Sequence, residues 1–139
     1  MIKNIKKTVI AGALALAMVG TAVPVTANAA SFSNFTIYKK NSAIYTYSSS
    51  QTKNGGGAYE NKFYVSLHSK KTSSCIKLRS KQVNKDIYSG WVTFQAGEGS
   101  STKTSSYIDT AAAGKEYKLQ AKLVSSSDSK DTIAGAWTP

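Results

Sequence analysis

One cysteine, one histidine, two prolines and seven acids among 139 residues remove most familiar chemistries before any motif is sought. A lone Cys75 closes no internal disulfide and builds no Cys-rich metal site, so the core must hold by packing and hydrogen bonding alone. His68 is the only histidine, which excludes a His-based metal cluster. The acids are Glu60, Asp86, Glu98, Asp109, Glu116, Asp128 and Asp131. They scatter mainly through expected loops and frame no facing carboxylate pair of the glycosidase kind. Asp128 and Asp131 offer two carboxylates in a Ser/Lys-rich segment, a poor calcium site, and read as solvated turn residues. No Gly-x-Ser-x-Gly frames a nucleophile, and Gly55-Gly56-Gly57 lacks the Lys-Ser or Lys-Thr of a phosphate-binding loop. The expectation is a protein with no cofactor, no metal and no enzymatic activity.

The one long apolar run is at the start. Met1 to Lys7 is a positive head without an acid, Thr8 to Gly20 is rich in Ala, Leu and Val, and Ala27-Asn28-Ala29 supplies small residues. In that order these are the parts of a secretory signal. The expected organisation is a signal peptide over 1–29 and a single domain over 30–139, secreted and extracellular. No second apolar stretch of about 20 residues follows, so no transmembrane span is expected. The C-terminal residues, Ile133 to Pro139, lack an apolar segment and basic tail of the wall-anchoring kind, so the expected product is freely released or held to a surface by charge.

After Ser31 the pattern changes to short runs of period two with polar punctuation. All four Phe, both Trp and all eight Tyr lie there, and such rings bury much area at little rotamer cost. Strands are expected around Phe35–Tyr38, Ala43–Ser48, Tyr59–His68, Cys75–Lys81, Ile87–Gln95, Thr102–Asp109, Glu116–Val124 and Thr132–Trp137. Phe63, Val65 and Leu67 share one face of their run; Ile76, Leu78 and Ser80 share one face of the next. Tyr117, Leu119, Ala121 and Leu123 alternate with Glu116, Lys118, Gln120 and Lys122, which a helix would scatter around its circumference. Lys53 to Gly57 reads as a flexible loop, and Gly90 as a bulge or a close backbone approach. Ala111 to Gly114 reads as one helical turn or a plain loop. Seven or eight short strands with Gly and Ser turns predict an all-β fold, an antiparallel β-sandwich or barrel.

Two features remain as candidate sites. His68 and Cys75 share outward parity on successive strands joined by a short turn, which would lay them across a hairpin as a thiolate–imidazole dyad with Arg79 nearby. Its bland counterpart is an exposed His beside a half-buried Cys. Charge is the stronger signal. From Ser31 onward, fifteen Lys and Arg face seven acids, a formal charge of +8; residues 31–85 alone carry ten cations and one acid. The candidate binding residues are Lys70, Lys71, Lys77, Arg79, Lys81 and Lys85, with the middle three on one face of a single strand. Such a stripe draws polyanions diffusively and weakens with salt. The bland counterpart is solubility plus the guarding of a sheet edge by lysine. The partners expected are an anionic cell-wall polymer or membrane head groups; no nucleic-acid reading motif accompanies the charge.

Phe32, Phe35 and Ile37, the Lys118-Leu119-Gln120-Ala121 strand and the closing Ala134-Gly135-Ala136-Trp137 together resemble a family of small secreted Gram-positive proteins of unknown function. The resemblance implies a bacteriocin-like activity and carries over no active-site residue. The expected function is a secreted cationic binding protein acting on an anionic cell-envelope surface. The alternative is a small secreted hydrolase, or a protease-inhibitor-like sandwich presenting the 51–57 loop.

Overall fold

A computed structural model describes residues 29–53 and 61–139. The expected leader up to residue 28 and the glycine loop from residue 54 lie outside the described residues. Eight strands follow in order: β1 Ala30–Tyr38, β2 Tyr45–Thr52, β3 Lys62–Ser69, β4 Cys75–Gln82, β5 Val92–Phe94, β6 Ser101–Ser106, β7 Glu116–Ser125 and β8 Lys130–Thr138. They form two four-stranded antiparallel sheets, β1-β8-β3-β6 and β2-β7-β4-β5. The expected all-β sandwich is what forms; the sheets do not close into a barrel.

Period two explains the core. Phe63, Val65, Leu67, Ile76, Leu78, Tyr117, Leu119, Ala121, Leu123, Ile133 and Trp137 all point between the sheets and are essentially inaccessible. Phe32 and Phe35 are three residues apart, so plain alternation would turn one of them outward. A register shift between them, with Asn34 at φ 54°, breaks the alternation and buries both. Asparagine takes that left-handed conformation more readily than other L-residues. Gly135 sits where β8 crosses Phe32: an added Cβ would overlap the Ser66 carbonyl oxygen and come 2.8 Å from Phe32 Cζ. Gly90 lies outside the strands; a Cβ there would meet the rotatable Ser105 hydroxyl, while the nearest backbone atom, the Ser106 carbonyl oxygen, is 3.8 Å away, an ordinary contact. Ala111 to Gly114 is a loop with a turn, not a helical one.

Several boundaries move. The expected 87–95 strand is only three residues long, preceded by an isolated bridge of Tyr88 to Lys81 and another of Ser89 to Tyr107. β6 ends before Tyr107; that ring is buried, while Ile108 is 78% exposed. Asp131 is not a solvated turn residue: it lies in β8, 1% exposed, and its Oδ2 accepts the Lys71 backbone N–H at 2.9 Å. Lys53 is likewise no flexible-loop residue. It is buried, with Nζ donating to the carbonyls of Lys62 (3.1 Å) and Pro139 (2.8 Å) and lying 4.9 Å from the Tyr107 ring centroid. The Tyr107 hydroxyl donates to Ser80 Oγ at 2.7 Å, and Tyr117 donates to Gln82 Oε1, so one end of the core is polar and paired.

Candidate functional site

The hairpin dyad does not form. β3 belongs to one sheet and β4 to the other, so His68 and Cys75 are not cross-strand neighbours. Cys75 is buried with its Sγ donating to Gln95 Oε1 at 3.5 Å, and His68 is exposed at a register shift near the end of β3. A shallow open groove of about 240 Å³ runs past His68, Lys70 and Glu98. Its one carboxylate is committed. Burial works to raise the Glu98 pKa, but hydrogen bonds from Lys103, the Gln95 N–H and Ser101 outweigh it and hold the group below its ordinary value. No trio of His, Cys, Asp or Glu is placed to hold a metal among the described residues.

The six candidate cations separate into three places. Lys70 and Lys71 sit at the β3–β4 turn, where Lys70 Nζ donates to the Ser74 carbonyl at 3.0 Å and Lys71 pairs with Asp128 at 3.1 Å. Lys85 is exposed on the turn after β4. Lys77, Arg79 and Lys81 share the outer face of β4, because Ile76, Leu78 and Ser80 take the inner one.

Topology then adds what the linear order hid. β7, forty residues later, is the neighbour of β4, and its outward residues fall directly opposite: Lys122 faces Lys77, Gln120 faces Arg79 and Lys118 faces Lys81. β2 and β5 extend these rows. Thr93 stands opposite Lys77, Thr46 opposite Gln120, Ser50 opposite Lys118, and Tyr88 bridges to Lys81. Five cations thus occupy two adjacent inner strands, all half-buried. The acids beside them are peripheral: Asp86, 3.5 Å from Lys81 Nζ and 85% exposed, and Glu116, which accepts from Ser50 Oγ. A hydrogen bond from Tyr88, then Lys81, holds the Asp86 carboxyl below its ordinary value.

The middle row is joined by hydrogen bonds from β4 across β7 to β2. Arg79 Nε donates to Gln120 Oε1 at 2.9 Å, and Gln120 Nε2 donates to Thr46 Oγ1 at 3.2 Å. The guanidinium carbon lies 4.0 Å from the Tyr88 ring centroid and 4.4 Å from that of Trp91. Partial burial lowers the Arg79 pKa, which proximity to Tyr88 opposes; a guanidinium stays charged regardless. Trp91 also carries Lys122 Nζ at 4.6 Å, and Tyr88 carries Lys81 Nζ at 5.4 Å. Tyr88, Trp91, Lys118 and Lys122 were absent from the sequence-derived site. The outward parity of Lys118 and Lys122 was the available signal; which strand lay beside them was not.

The class defined by fold and face is an antiparallel sandwich that displays a cation-and-aromatic platform on one sheet. No family model, characterised protein or solved structure matches this chain.

Proposed function

We propose that this is a secreted cationic binding protein that docks on an anionic cell-envelope surface through the outer face of the β2-β7-β4-β5 sheet, with a bacteriocin-like antagonism of neighbouring cells as the biological outcome. The observation that carries it is the direct opposition of Lys77 to Lys122 and of Lys81 to Lys118. Like charges facing each other across a sheet are destabilising, each pair by about 0.2–1 kcal/mol. β4 and β7 are the two inner strands of their sheet, and Lys77 has Thr93 of β5 on one side and Lys122 of β7 on the other, so it guards no edge. Asp86 and the Tyr88 ring offset part of the charge on Lys81, and the Trp91 ring part of that on Lys122, but Lys77 has no such partner among the described residues, and a polyanion along the face neutralises the excess that remains. The positive head, apolar run and small residues of the first twenty-nine positions support export, where such polymers are found.

Sedimentation with purified cell walls tests this. Retention should fall steeply with salt, with a log–log slope of about −3 if roughly four of the five cations meet phosphates. It should vanish when Lys77, Arg79 and Lys81 become Gln. Salt-independent or absent retention refutes the reading. A growth-inhibition assay on the same preparations then separates antagonism from attachment to the producer's own wall.

A further inference from the structure

We propose that the polymer lying along β4 and β7 is a linear phosphodiester without stacking bases, one phosphate to each row, and that Arg79 takes the phosphate of the middle row with its terminal nitrogens. The inference rests on the docking face proposed above.

The first support is pitch. Successive rows, Lys77/Lys122, Arg79/Gln120 and Lys81/Lys118, are two residues apart along each strand. Two residues are six main-chain bonds and advance about 6.7 Å. A phosphodiester of a three-carbon polyol also has six bonds between consecutive phosphorus atoms (two P–O, two O–C and two C–C), so an extended chain keeps step with an extended strand. A polymer with a different number of bonds between charges drifts out of register over the three rows.

The second support is the Arg79 fork. Its Nε is committed to Gln120, its guanidinium carbon lies against the rings of both Tyr88 and Trp91, and its terminal Nη groups meet no acceptor among the described residues. A guanidinium fixed in advance loses little rotamer freedom when it takes two oxygens of one phosphate, whereas a lysine in that place is a mobile point charge. The third support is that both aromatic rings are already engaged by cations. Trp91 is covered by Arg79 and Lys122, and Tyr88 by Arg79 and Lys81. A base stacking on these half-buried rings would compete with those cations. Here the rings position cations, and the cations read the backbone.

The test is fluorescence anisotropy at low salt, with a labelled five-phosphate oligomer of three-carbon spacers as the probe. Its competitors are the same oligomer with six-carbon spacers, a single-stranded DNA of equal phosphate count and a uronic-acid oligomer of equal charge. The three-carbon probe should bind about tenfold more tightly than the six-carbon and uronic-acid oligomers, and Arg79→Lys should lose as much affinity for it as Arg79→Gln, about tenfold. Thermal melting checks that both variants fold; the competitor series on the unsubstituted protein stands without them. Equal affinity for all oligomers, or Arg79→Lys binding as the parent does, overturns the phosphodiester assignment and leaves a charge-only docking face. Tighter binding of DNA overturns it in favour of base stacking. Failure of every polyanion to bind removes the docking face itself.

Discussion

Replacing Lys77 by Glu should make the protein more stable and its docking face weaker. Lys77 lies on an inner strand with Lys122 directly opposite and Arg79 two residues along the same face, and no acid of the described residues pairs with it. Opposed like charges cost about 0.2–1 kcal/mol and opposed unlike charges gain a similar amount. The pair is half-exposed, so solvent screening keeps the swing toward the lower end, about 0.5–1 kcal/mol. For a domain of this size that is a rise in Tm of about 2–4 °C. Lys77→Gln removes the repulsion without adding attraction and should give about half the rise. Lys122 stays over Trp91 in both variants, so no cation–π contact is lost. Differential scanning calorimetry at low ionic strength and in about 1 M salt, where the screening length falls to about 3 Å, reads the effect directly. The gain should be present at low salt and collapse at high salt, while retention on cell walls falls at low salt. A Tm that drops, or a gain indifferent to salt, refutes the claim that the paired lysines are held against their mutual repulsion.

Gly135→Ala should cost about 3 kcal/mol or more, because the new methyl overlaps a backbone carbonyl that is fixed by the β3–β8 pairing. Gly99→Ala, with open space around it, is the control; urea unfolding compares the two. Lys53 gives a pH signature. Burial pulls its pKa down from 10.5 to about 8, so between those values the unfolded chain holds the proton that the folded chain has released, and stability rises with pH across that window. The rise should be absent in Lys53→Met when denaturation midpoints are compared from pH 7.5 to 10.5, and an identical slope in both proteins refutes it. Cys75 should react with a thiol reagent only as the protein opens, and Cys75→Ser should retain wall binding in full; rapid labelling of the native state contradicts its burial.

Much of the fold was legible in side-chain order. Alternation over Phe63–Leu67, Ile76–Ser80 and Tyr117–Leu123 named the inward residues, since a strand sends neighbours to opposite faces whatever lies beside it. Alternation fails where the backbone departs from it. The bulge at Asn34 and the shortening of β5 depend on how neighbouring strands meet, and a one-dimensional pattern holds no record of that. Lys53 and Asp131 were misread for a related reason: each is polar within a polar stretch, and only distant chain gives them buried partners, Pro139 in one case and Lys71 in the other.

For the candidate face, the sequence alone determined the excess of positive charge and the common outward parity of Lys77, Arg79 and Lys81, because both follow from residue type and period. It also determined the shortage of catalytic side chains. Only tertiary structure decided that β3 and β4 part into different sheets, which dissolves the His68–Cys75 pairing, and that β7 lies against β4. That adjacency brings Lys118 and Lys122 into the grid and seats Arg79 on Gln120. Strand order is set by which hydrophobic faces bury best together, an energy summed over the whole core, and no local stretch of chain contains that sum.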